Sequence, residues 1–145
     1  MAHRLVTIVD TDVKLASHLG GELSRWGLTV EVVADANDLL AMQARVRDVE
    51  VKEPVARYLL RVVAGTRAHR DLELGVSPRG ALAYFRASQA RALLQGRAYA
   101  TPDDVQALAA PVLAHRVLLT TQARYGGATR ESLITSIVKQ VSVPT

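Results

Sequence analysis

The sequence predicts a mainly α-helical protein, α+β overall: a helical bundle preceded by an N-terminal β-α-β unit. Three observations carry this expectation. Apolar residues recur at helical spacing over most of residues 36–145, and two of the helical stretches start on a hydroxyl-proline pair, Ser77-Pro78 and Thr101-Pro102. Two β-branched runs, Leu5-Val-Thr-Ile-Val9 and Leu28-Thr-Val-Glu-Val-Val33, flank an amphipathic stretch. Aromatic residues are only 4% of a chain that is 49% hydrophobic, so a core must be built from Leu, Val, Ile and Ala.

Taken in order, Leu5–Val9 reads as a buried strand ending at Asp10. Val13, Ala16, Leu19 and Leu23 then share a helical face that Trp26 continues, with Asp10 or Asp12 as the cap and Gly27 as the stop. A right-handed crossover makes the second strand, 28–33, parallel to the first. Asp35 caps the next helical pattern, which holds Leu39, Leu40 and Val46, and Val49–Val51 alternates as a short strand. Pro54 suits a first helical turn, and Val55, Tyr58, Leu59, Val62 and Val63 follow at i, i+3, i+4, i+7 and i+8; that helix fails between Gly65 and His69.

Ser77 then caps a helix with Pro78 at its first position, and Gly96 ends it. Arg79 falls in the first turn, where the helix macrodipole favours acids instead. Two roles fit a cation placed there. It can point with the helix N-terminus toward an anion, or it can pair with Asp71 or Glu73 or stay solvated. Thr101, Pro102, Asp103 and Asp104 open another helix, in which Pro111 should produce a kink. Val117–Leu119 reads as a short strand, Gln122–Ala128 as a loop with Gly126-Gly127, and Thr129 as the cap of a last helix before a tail from Val141.

The 145 residues suit one domain or two small units. With no cysteine there is no disulfide scaffold, thiolate metal site or cysteine nucleophile. The four histidines, His3, His18, His69 and His115, have no metal-ligand spacing. Residues 1–35 hold three basic and five acidic residues; residues 36–145 hold fifteen basic and nine acidic ones. This Arg-rich half suits a nucleotide, a nucleic acid or an acidic protein surface. Charge is the sole footprint of nucleic acid, without a stacking platform or a recognition motif, which disfavours that partner. No run nears the roughly 18 apolar residues of a membrane helix, and no signal-peptide hydrophobic run precedes Asp10, so a cytoplasmic protein is expected.

Two resemblances refine this picture. Val6-Thr-Ile-Val-Asp10-Thr-Asp12 and Trp26-Gly-Leu-Thr-Val-Glu-Val-Val-Ala-Asp35 resemble the start of a response-regulator receiver domain. That likeness aligns Asp10 with the first of two Mg²⁺-binding acids, with Thr11 in place of the second. No strand-ending aspartate follows in residues 49–60 to accept a phosphoryl group. It therefore implies a β-α-β fragment over residues 1–35 rather than a working phosphoacceptor, and Asp10 and Asp12 are read as helix caps before metal ligands.

The second likeness is carried by Leu39-Leu-Ala-Met-Gln-Ala-Arg-Val46, Tyr58-Leu-Leu-Arg-Val-Val-Ala-Gly-Thr-Arg67, Leu74-Gly-Val-Ser-Pro-Arg79, Gly96-Arg-Ala-Tyr-Ala-Thr-Pro-Asp-Asp-Val105 and Leu113-Ala-His-Arg116. From about Asp38 to Pro144 the chain resembles the C-terminal lid domain of the MoxR family of AAA+ ATPases, which makes 36–145 a lid-like domain. The resemblance implies that Arg79 is a sensor 2 arginine, presented by the turn that Ser77 caps, beside ATP with Mg²⁺. The nucleotide-binding subdomain would then belong to the full-length protein or a neighbouring subunit. ATP hydrolysis needs a phosphate-cradling loop with lysine, and the sequence has no Gly-Lys pair and no strand ending in Asp-Glu. The chain alone is therefore not expected to be an ATPase or to hold a cofactor. The alternative is a non-enzymatic interaction or oligomerisation module working through the receiver-like end, including a homodimer paired through the N-terminal strands, since two strands alone expose their edges.

Overall fold

A computed structural model describes residues 4–9, 28–33 and 36–144, which fall into two compact units, 1–45 and 46–145. In the first unit β1 (Arg4–Val9) and β2 (Leu28–Val33) pair in parallel, with Arg4 opposite Leu28 and Val9 opposite Val33. The parallel register agrees with the crossover expected from the sequence. The expected helix between the strands, together with Asp10, Asp12 and the Asp35 cap, lies outside the described residues. Helix α1 (Ala36–Arg45) completes the unit.

The second unit is a helical bundle. After a 3₁₀ turn at Val46–Asp48 come α2 (Glu53–Ala68), β3 (Leu72–Leu74), α3 (Pro78–Leu94) and α4 (Pro102–Leu113). A second 3₁₀ turn at Ala114–Arg116 leads to β4 (Leu118–Leu119), α5 (Thr121–Tyr125) and α6 (Arg130–Gln140). The periodic positions of α2 are the buried ones: Tyr58, Leu59, Val62 and Val63 are at most 2% exposed. They meet Val76, Tyr84 of α3, Val105 and Leu113 of α4, and Ile134 and Ile137 of α6 in one core. Such burial of branched aliphatic side chains stabilises by about 1.5–3 kcal/mol per residue.

The helix starts follow their sequence signals. Ser77 Oγ accepts from the Gly80 N–H at 3.2 Å, and Thr129 Oγ1 accepts from the Ser132 N–H at 3.1 Å. Gly96 supplies the left-handed turn, φ 72°, that closes α3.

Four details depart from expectation. Residues 49–51 form no strand: Glu50 makes an isolated bridge with Tyr99, its N–H donating to Ala98 O and its carbonyl accepting from Ala100 N, both at 2.9 Å. Leu72–Leu74 is a strand that side-chain periodicity did not reveal, pairing antiparallel with Leu118–Leu119; three residues are too few to establish an alternation. The stretch expected as a loop at 122–128 holds α5, because Thr120 Oγ1 caps the Ala123 N–H at 3.2 Å and Ala123 is buried. Pro111 stands on an exposed side of α4, which runs past it and gives way to 3₁₀ geometry at Ala114.

Asp104 anchors the start of α4. It is 1% exposed and receives two hydrogen bonds from the Arg97 guanidinium, Nη1 to Oδ2 at 2.9 Å and Nη2 to Oδ1 at 2.7 Å. The Thr101 N–H and hydroxyl both donate to Oδ2, at 2.9 and 3.0 Å, and Arg91 Nε lies 3.3 Å from Oδ1. Burial works to raise the pKa of this carboxyl, but the hydrogen bonds from Arg97 and Thr101 outweigh it and hold the group below its ordinary value. A depressed carboxyl pKa stabilises the fold above the unfolded value, about 3.9, and that contribution disappears as pH falls through the folded pKa. In urea titrations Asp104→Asn should therefore flatten the loss of stability below about pH 4. At pH 7, Asp104→Ala should cost about 3 kcal/mol, the lower end of the range for a broken buried pair, because both arginines keep some contact with water.

Candidate functional site

The N-terminal turn of α3 is held from behind by the last turn of α2. Thr66 is fully buried; its hydroxyl donates to Val63 O at 2.6 Å and accepts from the Val76 N–H at 3.0 Å. The neighbouring Arg67 donates from Nε to Val76 O at 2.8 Å. Both backbone polar groups of Val76 are thus taken by consecutive side chains of one helix, and the Val76 side chain fills the core at 0% exposure. Gly75 lies flat against the same turn: a Cβ there would come within 2.7 Å of Arg67 Cα and 2.8 Å of Thr66 C, so only glycine fits the approach.

This clamp ends one residue before Ser77, the cap of α3. Arg79 follows in the first turn, exposed, and forms no ion pair among the described residues. Neither acid considered as its partner forms an ion pair with it: Asp71 lies 3.8 Å from Arg70 Nε and 4.0 Å from His69 Nδ1, and Glu73 is exposed without an ion pair among the described residues. The turn therefore combines a positive dipole end with an unneutralised guanidinium, a combination suited to an anion. Ser77 spends its Oγ on the Gly80 N–H, so its role at the turn is to shape it.

Asp10 and Asp12, the candidate metal ligands, lie outside the described residues. Among the described residues no three His, Cys, Asp or Glu side chains gather as a metal site, and no helix is long and apolar enough to cross a membrane. The residues present suit one edge of a nucleotide, a cation and a helix N-terminus at its phosphates. They do not cradle the whole group, for which the sequence has no phosphate loop. The clamp residues Thr66, Arg67 and Gly75 were not singled out from sequence. Their signal was a glycine and one apolar residue directly before a Ser-Pro helix start.

The family described as the AAA lid domain matches residues 64–137, and the chain belongs to it. Among its relatives is the uncharacterized protein YeaC of Bacillus subtilis, 39% identical over 116 residues, a match covering 80% of this chain and 36% of YeaC. Chaperone MoxR1 of Mycobacterium tuberculosis is 30% identical over 132 residues, covering 83% of this chain and 35% of MoxR1. The chain thus spans about a third of the length of these curated relatives. A crystal structure of a Cytophaga hutchinsonii protein assigned as an ATPase shares the fold, with a TM-score of 0.74 at 23% identity over 92% of this chain and 44% of that one. The chain is thus an AAA lid domain with a relative named as the chaperone MoxR1.

Removing the clamp has a defined consequence. Thr66→Val keeps the shape but leaves the buried Val76 N–H unpaired, which should cost about 1–3 kcal/mol in urea denaturation and speed hydrogen exchange at the Val76 amide. Thr66→Ser, which retains the hydroxyl, should recover most of the exchange protection.

Proposed function

We propose that this lid contributes Arg79 as a sensor 2 arginine to ATP binding and hydrolysis, and does so only together with an AAA+ nucleotide-binding subdomain of the same protein or of a neighbouring subunit. The observation that carries the reading is the exposed, unpaired Arg79 guanidinium at a helix N-terminus whose direction the Val76 clamp sets. An arginine without a carboxylate partner keeps its full donor fork for a phosphate. ATP with Mg²⁺ is the cofactor of this reading, and the phosphate loop, the Mg²⁺ ligands and the hydrolytic water belong to the other subdomain. The lid alone supplies a single cationic contact, too little to hold a nucleotide tightly.

Titration of a fluorescent ATP analogue into the chain mixed with a MoxR-type nucleotide-binding subdomain tests this. Arg79→Ala should weaken analogue binding about tenfold or more, the worth of one hydrogen bond to a charged group. Unchanged affinity in Arg79→Ala would remove Arg79 from the nucleotide site.

A second reading is favoured by the sheet of the first unit, which has two parallel strands among the described residues. A two-stranded sheet is marginal alone and offers its edges to another copy, so the receiver-like end serves as an oligomerisation module. Deletion of residues 1–35 would then abolish a dimer seen by light scattering, whereas a strict monomer with those residues intact excludes this reading.

A further inference from the structure

Among the described residues the buried apolar side chains of the second unit fall into two clusters. The smaller one consists of Val49, Ala92 near the end of α3, and Ala100, with Val51 and Leu93 packed against it. Polar bonds fasten the same segment. The Glu50 N–H donates to Ala98 O and the Ala100 N–H donates to Glu50 O, both at 2.9 Å. Gln89 Nε2 donates to Val49 O at 2.7 Å, and Gln89 Oε1 accepts from Arg86 Nη1 at 2.9 Å. Gln89 is buried, whereas Arg86 is exposed and lies over the Phe85 ring at 5.9 Å. A relay of two hydrogen bonds thus runs from the surface of α3, through a buried amide, to the backbone of residue 49. Its sense is fixed, because a carbonyl only accepts and a guanidinium only donates.

We propose that Gln89 is a positioning residue for Arg79: with Arg86 it latches residues 49–51 onto α3, and this attachment sets the direction in which α3 presents its first turn. The inference rests on the nucleotide reading above and adds the part of the lid that aims its arginine. A helix held at one end can still pivot. The Val76 clamp fixes where α3 starts, but Gln89 stands about 15 Å of helix rise beyond Arg79, so an attachment there governs the tilt. A guanidinium on a tilted helix misses its phosphate, and a misplacement of about 1 Å already costs much of such an interaction. The latch is also separable from the main core. Opening it breaks a few hydrogen bonds and a cluster of three buried residues, the kind of region that opens locally while the rest stays folded. A buried amide is costly unless both its ends are satisfied, and the two ends of Gln89 are satisfied by different parts of the molecule.

The test has two arms. In the free 145-residue chain, amide hydrogen exchange reads the latch. Gln89→Leu should speed exchange at Glu50 and Ala100 about tenfold, the worth of one hydrogen bond, while the Val62 and Val63 amides of α2 stay protected. Arg86→Ala, a change at the surface, should act on the same two amides in the same direction and add nothing in the Gln89→Leu background. In the chain mixed with a MoxR-type nucleotide-binding subdomain, Gln89→Leu should weaken binding of a fluorescent ATP analogue, and that loss should vanish in the Arg79→Ala background. A purely structural role would lower affinity by the same factor in both backgrounds. The latch is overturned if Glu50 and Ala100 exchange unchanged in Gln89→Leu, or if the effects of Arg86→Ala and Gln89→Leu add in full. The positioning role is overturned if Gln89→Leu leaves affinity unchanged, or if its loss adds in full to that of Arg79→Ala. Unchanged affinity in Arg79→Ala alone overturns the nucleotide reading instead, and the exchange arm still decides the latch.

Discussion

The two hydrogen bonds on either side of Val76 are the constraint on which the site depends. A loop between a short strand and a helix has many ways to arrange itself, and each ordered residue costs about 1–2 kcal/mol of backbone entropy. Here the loop is held by a donor and an acceptor from adjacent residues of α2, Arg67 Nε and Thr66 Oγ1, which fix the Val76 peptide groups in position. The Val76 side chain buries on the core side and Gly75 presses the backbone against the helix. Once residue 76 is fixed, Ser77 has one direction in which to start α3, and Arg79 emerges two residues later at a defined place.

The other end of α3 is tied in a comparable way. Gly96 turns the chain, and Arg97 reaches the buried Asp104 at the head of α4, where Thr101 donates to the same carboxylate. Gln89 donates to Val49 O at 2.7 Å, linking the middle of α3 to the segment that precedes α2. The helix bearing Arg79 is thus fastened near both ends and at its centre by polar groups that are mostly buried. A rigid mounting of this sort suits the role proposed for Arg79, since little of the interaction energy with a ligand would be lost to ordering the helix.

The legible parts of the fold were those encoded by local chemistry. Ser77-Pro78, Thr101-Pro102 and Thr129 mark helix starts through hydroxyl, ring and spacing, and the structure places α3, α4 and α6 there. The apolar residues of α2 were legible for the same reason, because periodicity reports burial directly. Leu72–Leu74 and the Glu50–Tyr99 bridge were not, since a few residues of strand are defined by partners distant in sequence. The site divides in the same way. Arg79 stood out because its charge opposes the helix dipole locally, while Thr66 and Arg67 look like ordinary residues near a helix end until residue 76 is folded back onto them. Asp104 was legible only as part of a helix start; its burial under Arg97 and Arg91 depends on how α3 and α4 meet.

The most direct test of the lid assignment is the arginine Nε resonance of Arg79, observed by ¹⁵N nuclear magnetic resonance in the complex of this chain with an AAA+ nucleotide-binding subdomain. Bonding to phosphate predicts that adding ATP with Mg²⁺ shifts and sharpens that resonance, while those of exposed arginines away from α3, such as Arg130, stay in place. An Arg79 resonance that is the same with and without saturating ATP, in a complex shown to contain the nucleotide, would contradict the account.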